Sequence, residues 1–266
     1  MTPEIVQKLS IDEYHARKDF VSSTLIREFL RSPAHLQAYL RNPPDQTKAQ
    51  LNGDMGHTAI LEPELLTKKF IAGPDGNWTL KENKDAVAKL RSEHPDKTVV
   101  KADELKALER MVESVYSHDA ASASLTGGVA EQSIFWLDKE SEVKCKCRPD
   151  YYIQSGGILV DVKTTEDARL STFQKSLFNF GYYRQLAFYG LGLKAAGLPV
   201  EKFRIIAVEK ADPFAVSVFD VDSVSINRGI QEVWKALKQY RECLRSDVWP
   251  AYPDGISVIS LPSWAF

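Results

Sequence analysis

The chain has 266 residues, 44% of them hydrophobic, which is enough to build a sizeable buried core without disulfide or metal staples. A formal net charge of −2 and an isoelectric point near 6.2 exclude the bulk basic footprint of a protein that holds nucleic acid by overall electrostatics, so any attraction to phosphate must be local. Three cysteines, Cys145, Cys147 and Cys243, are too few for a four-thiolate zinc or iron–sulfur site and show no framework spacing. Reduced thiols fit that pattern. The charged amino-terminal stretch MTPEIVQKLSIDEYHARKDF has no apolar run of the signal-peptide kind, and no later segment is long and apolar enough for a bilayer, so a soluble cytoplasmic protein is expected.

No internal repeat or low-complexity tract divides the chain, and Asn42-Pro43-Pro44 and Gly73-Pro74-Asp75-Gly76 read as loops rather than linkers. The expected organisation is one domain over 1–266: a mainly helical front end over 1–120, a core over 129–245 and a docking tail over 246–266. In chain order, Ser22-Ser23-Thr24 can cap a helix with Leu25, Phe29 and Leu30 on one face, and Ser32 and Pro33 suit the cap and first turn of the next. Residues 47–61 read as a further helix despite Gly53 and Gly56. Asp103 is placed to cap a long amphipathic helix with Leu105, Leu108, Met111, Val112 and Val115 inside. The period then changes: 129–137, 142–148 and 157–163 are β-like and suggest a three-stranded meander. A helical stretch over 170–196, broken near Gly181, strands at 203–208 and 215–221, and a closing helix over 226–244 complete the plan. Three strands before the first crossover rule out regular βαβ winding and predict an α/β fold, a mixed central sheet flanked by helices.

Two short runs carry charges where a strand should be apolar. In 142–150 strict alternation sends Val143, Cys145 and Cys147 to one face and Lys144, Lys146 and Arg148 to the other, where Asp150 continues the series. A row of cations ending at a carboxylate suits a phosphodiester track that ends at a metal, although a solvated strand face gives the same letters. The run 157–165 is apolar yet holds Asp161 and Lys163, two positions apart and so on one face. Burying both costs several kcal/mol unless each is paired or bound to a cation.

Together Pro149-Asp150 and Asp161-Val162-Lys163 resemble the PD-(D/E)xK nuclease motif, in the aspartate variant of the RecB-like branch, and the resemblance implies a restriction-endonuclease-like core. Gln185 and Tyr189, four apart on the following helix with Tyr182 a turn earlier, resemble the Gln-x-x-x-Tyr element of that branch. Gly53-Asp54-Met55-Gly56-His57 resembles its Gly-x-x-x-His helix, and Glu131 sits where several members carry an extra carboxylate. Cys243-Leu244, Trp249-Pro250-Ala251 and Leu261-Pro262-Ser263-Trp264-Ala265 resemble the tail of the exonuclease VIII (RecE-type) recombination nucleases of prophages, so the likeness runs from Ser22 to Trp264.

The resemblance implies Mg²⁺, with Mn²⁺ able to substitute and no iron–sulfur cluster, held by Asp150, Asp161, the Val162 carbonyl, His57 and Glu131. It implies catalysis by Asp150, Asp161, Lys163, Gln185 and Tyr189, while the alternating cations Lys144, Lys146 and Arg148, with Tyr182, are the expected DNA contacts. The implied activity is 5′-to-3′ exonuclease digestion of linear double-stranded DNA, leaving 3′ overhangs for a RecT-type annealing protein, by a ring-shaped homo-oligomer that needs no membrane, in a bacterial or phage-encoded protein. A RecB-like endonuclease, or a nuclease of single strands or flaps, shares every one of these active-site residues. A non-catalytic DNA-binding assembly module is the reading from another class, and it has no need of all five catalytic positions together.

Overall fold

The computed structural model describes residues 1–261. β1 (Glu4–Val6) and α1 (Ile11–Ala16) lead into α2 (Ser23–Arg31) and α3 (Pro33–Arg41). Local chemistry sets these starts: Ser22 Oγ accepts from the Leu25 N–H and Ser32 Oγ from the His35 N–H, with Pro33 at the first position of α3. α4 (Lys48–Leu61) opens on a reciprocal cap between Thr47 and Gln50. α5 (Pro63–Lys69), β2 (Phe70–Ala72), α6 (Lys81–Glu93) and β3 (Thr98–Val100) follow, with β2 and β3 paired in parallel. α7 (Ala102–Ser117) starts slightly earlier than the sequence suggests, with Lys101 at the cap and Asp103 in the first turn, and buries Leu108, Met111 and Val115. α8 (Asp119–Ser124) ends the front half.

The second half supplies β4 (Val129–Ala130), β5 (Ser133–Leu137), β6 (Lys144–Cys147), β7 (Tyr151–Ile153), β8 (Ile158–Thr165), α9 (Leu170–Asn179), α10 (Tyr182–Ala195), β9 (Lys202–Glu209), β10 (Val216–Asp220) and α11 (Ser223–Ser246). The central sheet runs β10-β9-β8-β7-β4, with β8 and β9 parallel and the other pairs antiparallel. On one face Val160, Val162, Ile206 and Val208 pack with Met55, Leu108 and Met111 of α4 and α7. On the other, Leu159, Ile205 and Ala207 pack with Leu186 of α10 and Val233 of α11. This is the mixed sheet between helical layers that the element order requires.

The expected meander over 129–163 is instead divided between two sheets. Residues 129–137 break at Glu131, which adopts φ +52; β4 joins the central sheet, whereas β5 pairs with β1 and β6 in a separate one ordered β1-β5-β6. The chain crosses back through Arg148-Pro149-Asp150, where the Glu131 N–H donates to the Asp150 carbonyl at 3.0 Å. The hairpin partner of β8 is therefore β7, not the cation-bearing run before it. Pro149 cannot donate to a ladder, which ends β6 there and frees the chain to change sheets.

After α11 the tail touches the domain through Trp249, 5.8 Å from Tyr240, through Pro250, whose carbonyl accepts from the Ala34 N–H, and through Tyr252 beside His35. Beyond that Ile256, Val258 and Ile259 are almost wholly exposed. Most of the 261–265 motif lies outside the described residues. No helix among the described residues is long and apolar enough to cross a membrane.

Candidate metal centre and active site

Asp161 stands in the middle of β8, between β7 and β9, on the face that carries Leu159. Its carboxylate is fully buried, and its charged partner is the Lys163 ammonium, 2.5 Å from Oδ2. Burying such a pair in a strand core costs more than an apolar pair of the same size, so it marks a place built for something other than packing. Asp150, also buried, is fixed from the neighbouring strand end: its Oδ2 accepts the Val162 N–H at 2.7 Å. His57 Nδ1 lies 3.6 Å from the same oxygen.

α4 brings His57 there by an unusually close approach. A Cβ on Gly56 would stand 2.9 Å from Thr164 Cγ2, so the helix can press onto β8 only because that position is glycine. Gly53, the other glycine of the motif, has open space around it. Glu131, at the kink between the sheets, is gripped by Arg148 Nε at 2.6 Å.

One ligand atom from each of His57, Glu131 and Asp150 falls within 4.8 Å of the others. Around Mg²⁺ only one pair of three ligands can stand on opposite sides, about 4.2 Å apart, and the other pairs are about 3 Å apart, so the trio must draw together to share an ion. The trio does not include Asp161, whose carboxylate is electrostatically linked to Asp150 and His57. Hard oxygen donors with one imidazole suit Mg²⁺ or Mn²⁺, and Asp161 Oδ1, which accepts no hydrogen bond, adds a further donor.

The charges oppose one another strongly. Burial pushes Glu131 up to about 7, helped by Asp150 and opposed by Arg148. Burial likewise pushes Asp161 up to about 6, with Lys163 opposing and Asp150 assisting. For Lys163 burial acts to lower the pKa, but Asp161 and Asp150 outweigh it and the ammonium is held above its ordinary value. Three carboxylates thus face the two cations Arg148 and Lys163, leaving a negative balance that a divalent cation would reverse.

α10 supplies the remaining predicted groups. Gln185 Nε2 donates to Tyr189 Oη at 2.8 Å, and burial, with Asp150 and Asp161 next in effect, keeps the Tyr189 phenol protonated. The Lys163 ammonium lies 5.1 Å from the centre of the Tyr182 ring, a cation–π contact. His57, Lys163 and Tyr182 line an open cleft of about 560 Å³.

The cation row does not form the expected open track. Lys144 pairs with Asp19 at 2.8 Å. Lys146 is buried, donating to the carbonyls of Tyr14 and Arg17, and Arg148 binds Glu131 and the Leu9 carbonyl. Alternation did separate these residues from the cysteines, but α1 and the segments flanking it fold over the polar face, and their Tyr14, Arg17 and Leu9 carbonyls use its cations as anchors. Asp54 escaped the sequence reading; it lies one turn before His57, is raised by burial and feels the imidazole. Its three-residue spacing from His57 was the available signal.

No curated protein matches the chain. Among solved structures, the "Putative exonuclease" from Eubacterium rectale superposes with a TM-score of 0.58 over 95% of this chain and 97% of that one, at 14% identity. A phage related exonuclease from Haemophilus somnus 129PT gives a TM-score of 0.36 over 68% of this chain and 92% of that one, also at 14% identity. The first of these likenesses shows a common fold over nearly the whole length. The family profile that matches residues 22–262, spanning most of the helical front end and every strand of the central sheet, is that of the PDDEXK-like domain of unknown function (DUF3799), and the chain belongs to that family.

Proposed function

We propose that the chain is a divalent-metal-dependent DNA nuclease that digests linear duplex from the 5′ end and leaves 3′ single strands for an annealing partner of the RecT type. The observation that carries the hydrolytic reading is the fully buried Asp161–Lys163 pair beside the His57–Glu131–Asp150 trio. Asp150, Asp161 and the Val162 carbonyl, with His57 or Glu131, would hold Mg²⁺ or Mn²⁺. That ion supplies neutralisation of charge on the phosphate oxygens and acidifies a water.

The chain's own residues do the positioning. Lys163, kept protonated by two carboxylates and fixed over Tyr182, sets a cation next to the scissile phosphate and orients the attacking water. Gln185 and Tyr189 hold that arrangement by hydrogen bonding, the protonated phenol acting as donor. Arg148 keeps Glu131 aimed at the site.

The exonuclease reading is supported by the likeness of the tail to exonuclease VIII and by the name of the Eubacterium rectale neighbour. Self-association is supported by the exposed Ile256, Val258 and Ile259, which burial against another copy would stabilise. A ring retains its substrate topologically, which suits a chain with little net charge.

The test is digestion of 5′-phosphorylated linear duplex, hydroxyl-ended duplex and covalently closed circles by the wild type and Asp161→Ala, with Mg²⁺ or chelator. Metal-dependent loss of phosphorylated linear DNA to mononucleotides, by wild type only, is expected. Cutting of circles would overturn the exonuclease assignment, and binding of DNA without turnover would point to an assembly module.

A further inference from the structure

The break between α9 and α10 leaves an aromatic ring at the edge of the active-site cleft. Phe180 closes α9 and is 62% exposed, and the next residue, Gly181, has φ +67. That left-handed backbone favours glycine, and the turn it makes projects Phe180. The Phe180 ring meets Tyr182 at 5.5 Å between centroids, and Tyr182 in turn carries the Lys163 ammonium. One aromatic ring therefore separates Phe180 from the lysine placed beside the scissile phosphate.

Phe180 also borders two cavities. One is the cleft that contains His57 and Lys163; the other is a small cavity lined by Ser23, Arg27, Arg184 and Gln185. Arg184 is partly satisfied by Glu232 at 2.8 Å, and Arg27 by Glu28 at 3.1 Å, but both keep the rim cationic beside the acidic centre. Phe178, two residues earlier, is comparably exposed, yet its ring is taken up by Tyr183 and by Arg228 at 5.2 Å. An apolar π-face between a phosphate-chemistry site and a cationic rim fits an unpaired nucleobase better than it fits a protein or lipid.

Resting on the nuclease reading above, we infer that Phe180 is a stacking platform for the nucleobase at the end of the strand being cut. By stacking on Phe180 that base continues the row Lys163–Tyr182 and holds its nucleotide unpaired from the complementary strand. Stacking of this kind is tolerant of sequence, because every base has a π-face.

The experiment is steady-state digestion with Mg²⁺ of duplexes carrying either a normal or an abasic terminal nucleotide, the abasic residue placed at the 5′ end in one arm and at the 3′ end in the other. Phe180→Ala raises KM about ten-fold with kcat nearly unchanged, a loss of uniform binding. Phe180→Trp restores the wild-type value, Phe180→Leu does not, and Phe178→Ala behaves as wild type. In one arm the abasic substrate weakens the wild type by the same factor and weakens Phe180→Ala no further.

Equal KM for wild type and Phe180→Ala, additive losses in both arms, or full rescue by leucine would each overturn the stacking role while leaving the nuclease intact. A wild type that neither cuts nor binds DNA would overturn the nuclease reading and this inference with it.

Discussion

Removing the Asp161 charge should uncouple the protein's stability from divalent metal. A ligand that binds only the folded state stabilises it by RT ln(1 + [L]/Kd), about 2.7 kcal/mol at one hundred times Kd. Unfolding entropy near the midpoint is roughly 2.1 cal/mol/K per residue, or about 0.56 kcal/mol/K for this chain, so saturating Mg²⁺ should raise Tm by about 5 °C. The size of that shift depends on pH with a definite sign. Asp161 and Glu131 are raised in the folded protein to about 6 and about 7. Between the ordinary carboxylate range and those values the native state binds more protons than the unfolded state. The metal-free protein is therefore most stable at the acid end of this window and loses that contribution as pH rises through it. A cation requires the deprotonated groups, so the Mg²⁺ shift is small near pH 5 and full near pH 8. Scanning fluorimetry of wild type and Asp161→Asn at both pH values, with and without Mg²⁺ or Mn²⁺, measures it. A shift of the same size at both pH values, or one kept intact in Asp161→Asn, would refute the assignment of these carboxylates to a metal centre.

Two further outcomes follow from the geometry. Lys163→Met removes the cation beside the phosphate but leaves the carboxylates, so turnover of linear duplex should fall by roughly 10²- to 10³-fold while the Mg²⁺-induced rise in Tm persists. Single-turnover rates and melting curves on one preparation separate the two effects. Gly56→Ala places a methyl 2.9 Å from Thr164 Cγ2 and should cost about 1–3 kcal/mol in urea unfolding. Thr164→Ser, which removes that methyl, should recover most of the loss, and failure to do so would show that α4 is held by other contacts.

What was legible in the sequence was local or costly. Ser22, Ser32 and Thr47 could be read as helix starts because each cap is settled within three residues. Gly181 could be read as a break because positive φ leaves few alternatives. Asp161 and Lys163 stood out because an apolar strand has no reason of its own to bury them. The illegible part was set by distant partners. Alternation in 142–148 is the same whether the polar face meets solvent or a covering segment, and Lys146 is capped by Tyr14 and Arg17, more than a hundred positions away in sequence. β1, β2 and β3 are three residues long, too short for any period to show.

The division of the strands between two sheets explains why the site lies where it does. A continuous meander would bury its ladder and leave carboxylates only at hairpin tips. Here the chain changes sheets twice, at Glu131 and at Pro149, and the two crossings are adjacent, joined by the Glu131 N–H to the Asp150 carbonyl. Each crossing brings an acid, Glu131 at one and Asp150 at the other, and mid-strand β8 turns its Val162 N–H to the Asp150 side chain. Left-handed backbone at Glu131 is uncommon for a non-glycine residue and costs on the order of 1 kcal/mol. That cost and the burial of Asp161 must be offset by structure nearby, and β8 has it: eight residues paired in parallel with β9, with apolar layers on both faces. A rigid strand thus holds a destabilised cluster of charge whose electrostatic conflict a divalent cation relieves, which is why stability, metal and turnover are expected to respond together to pH and separately to Lys163.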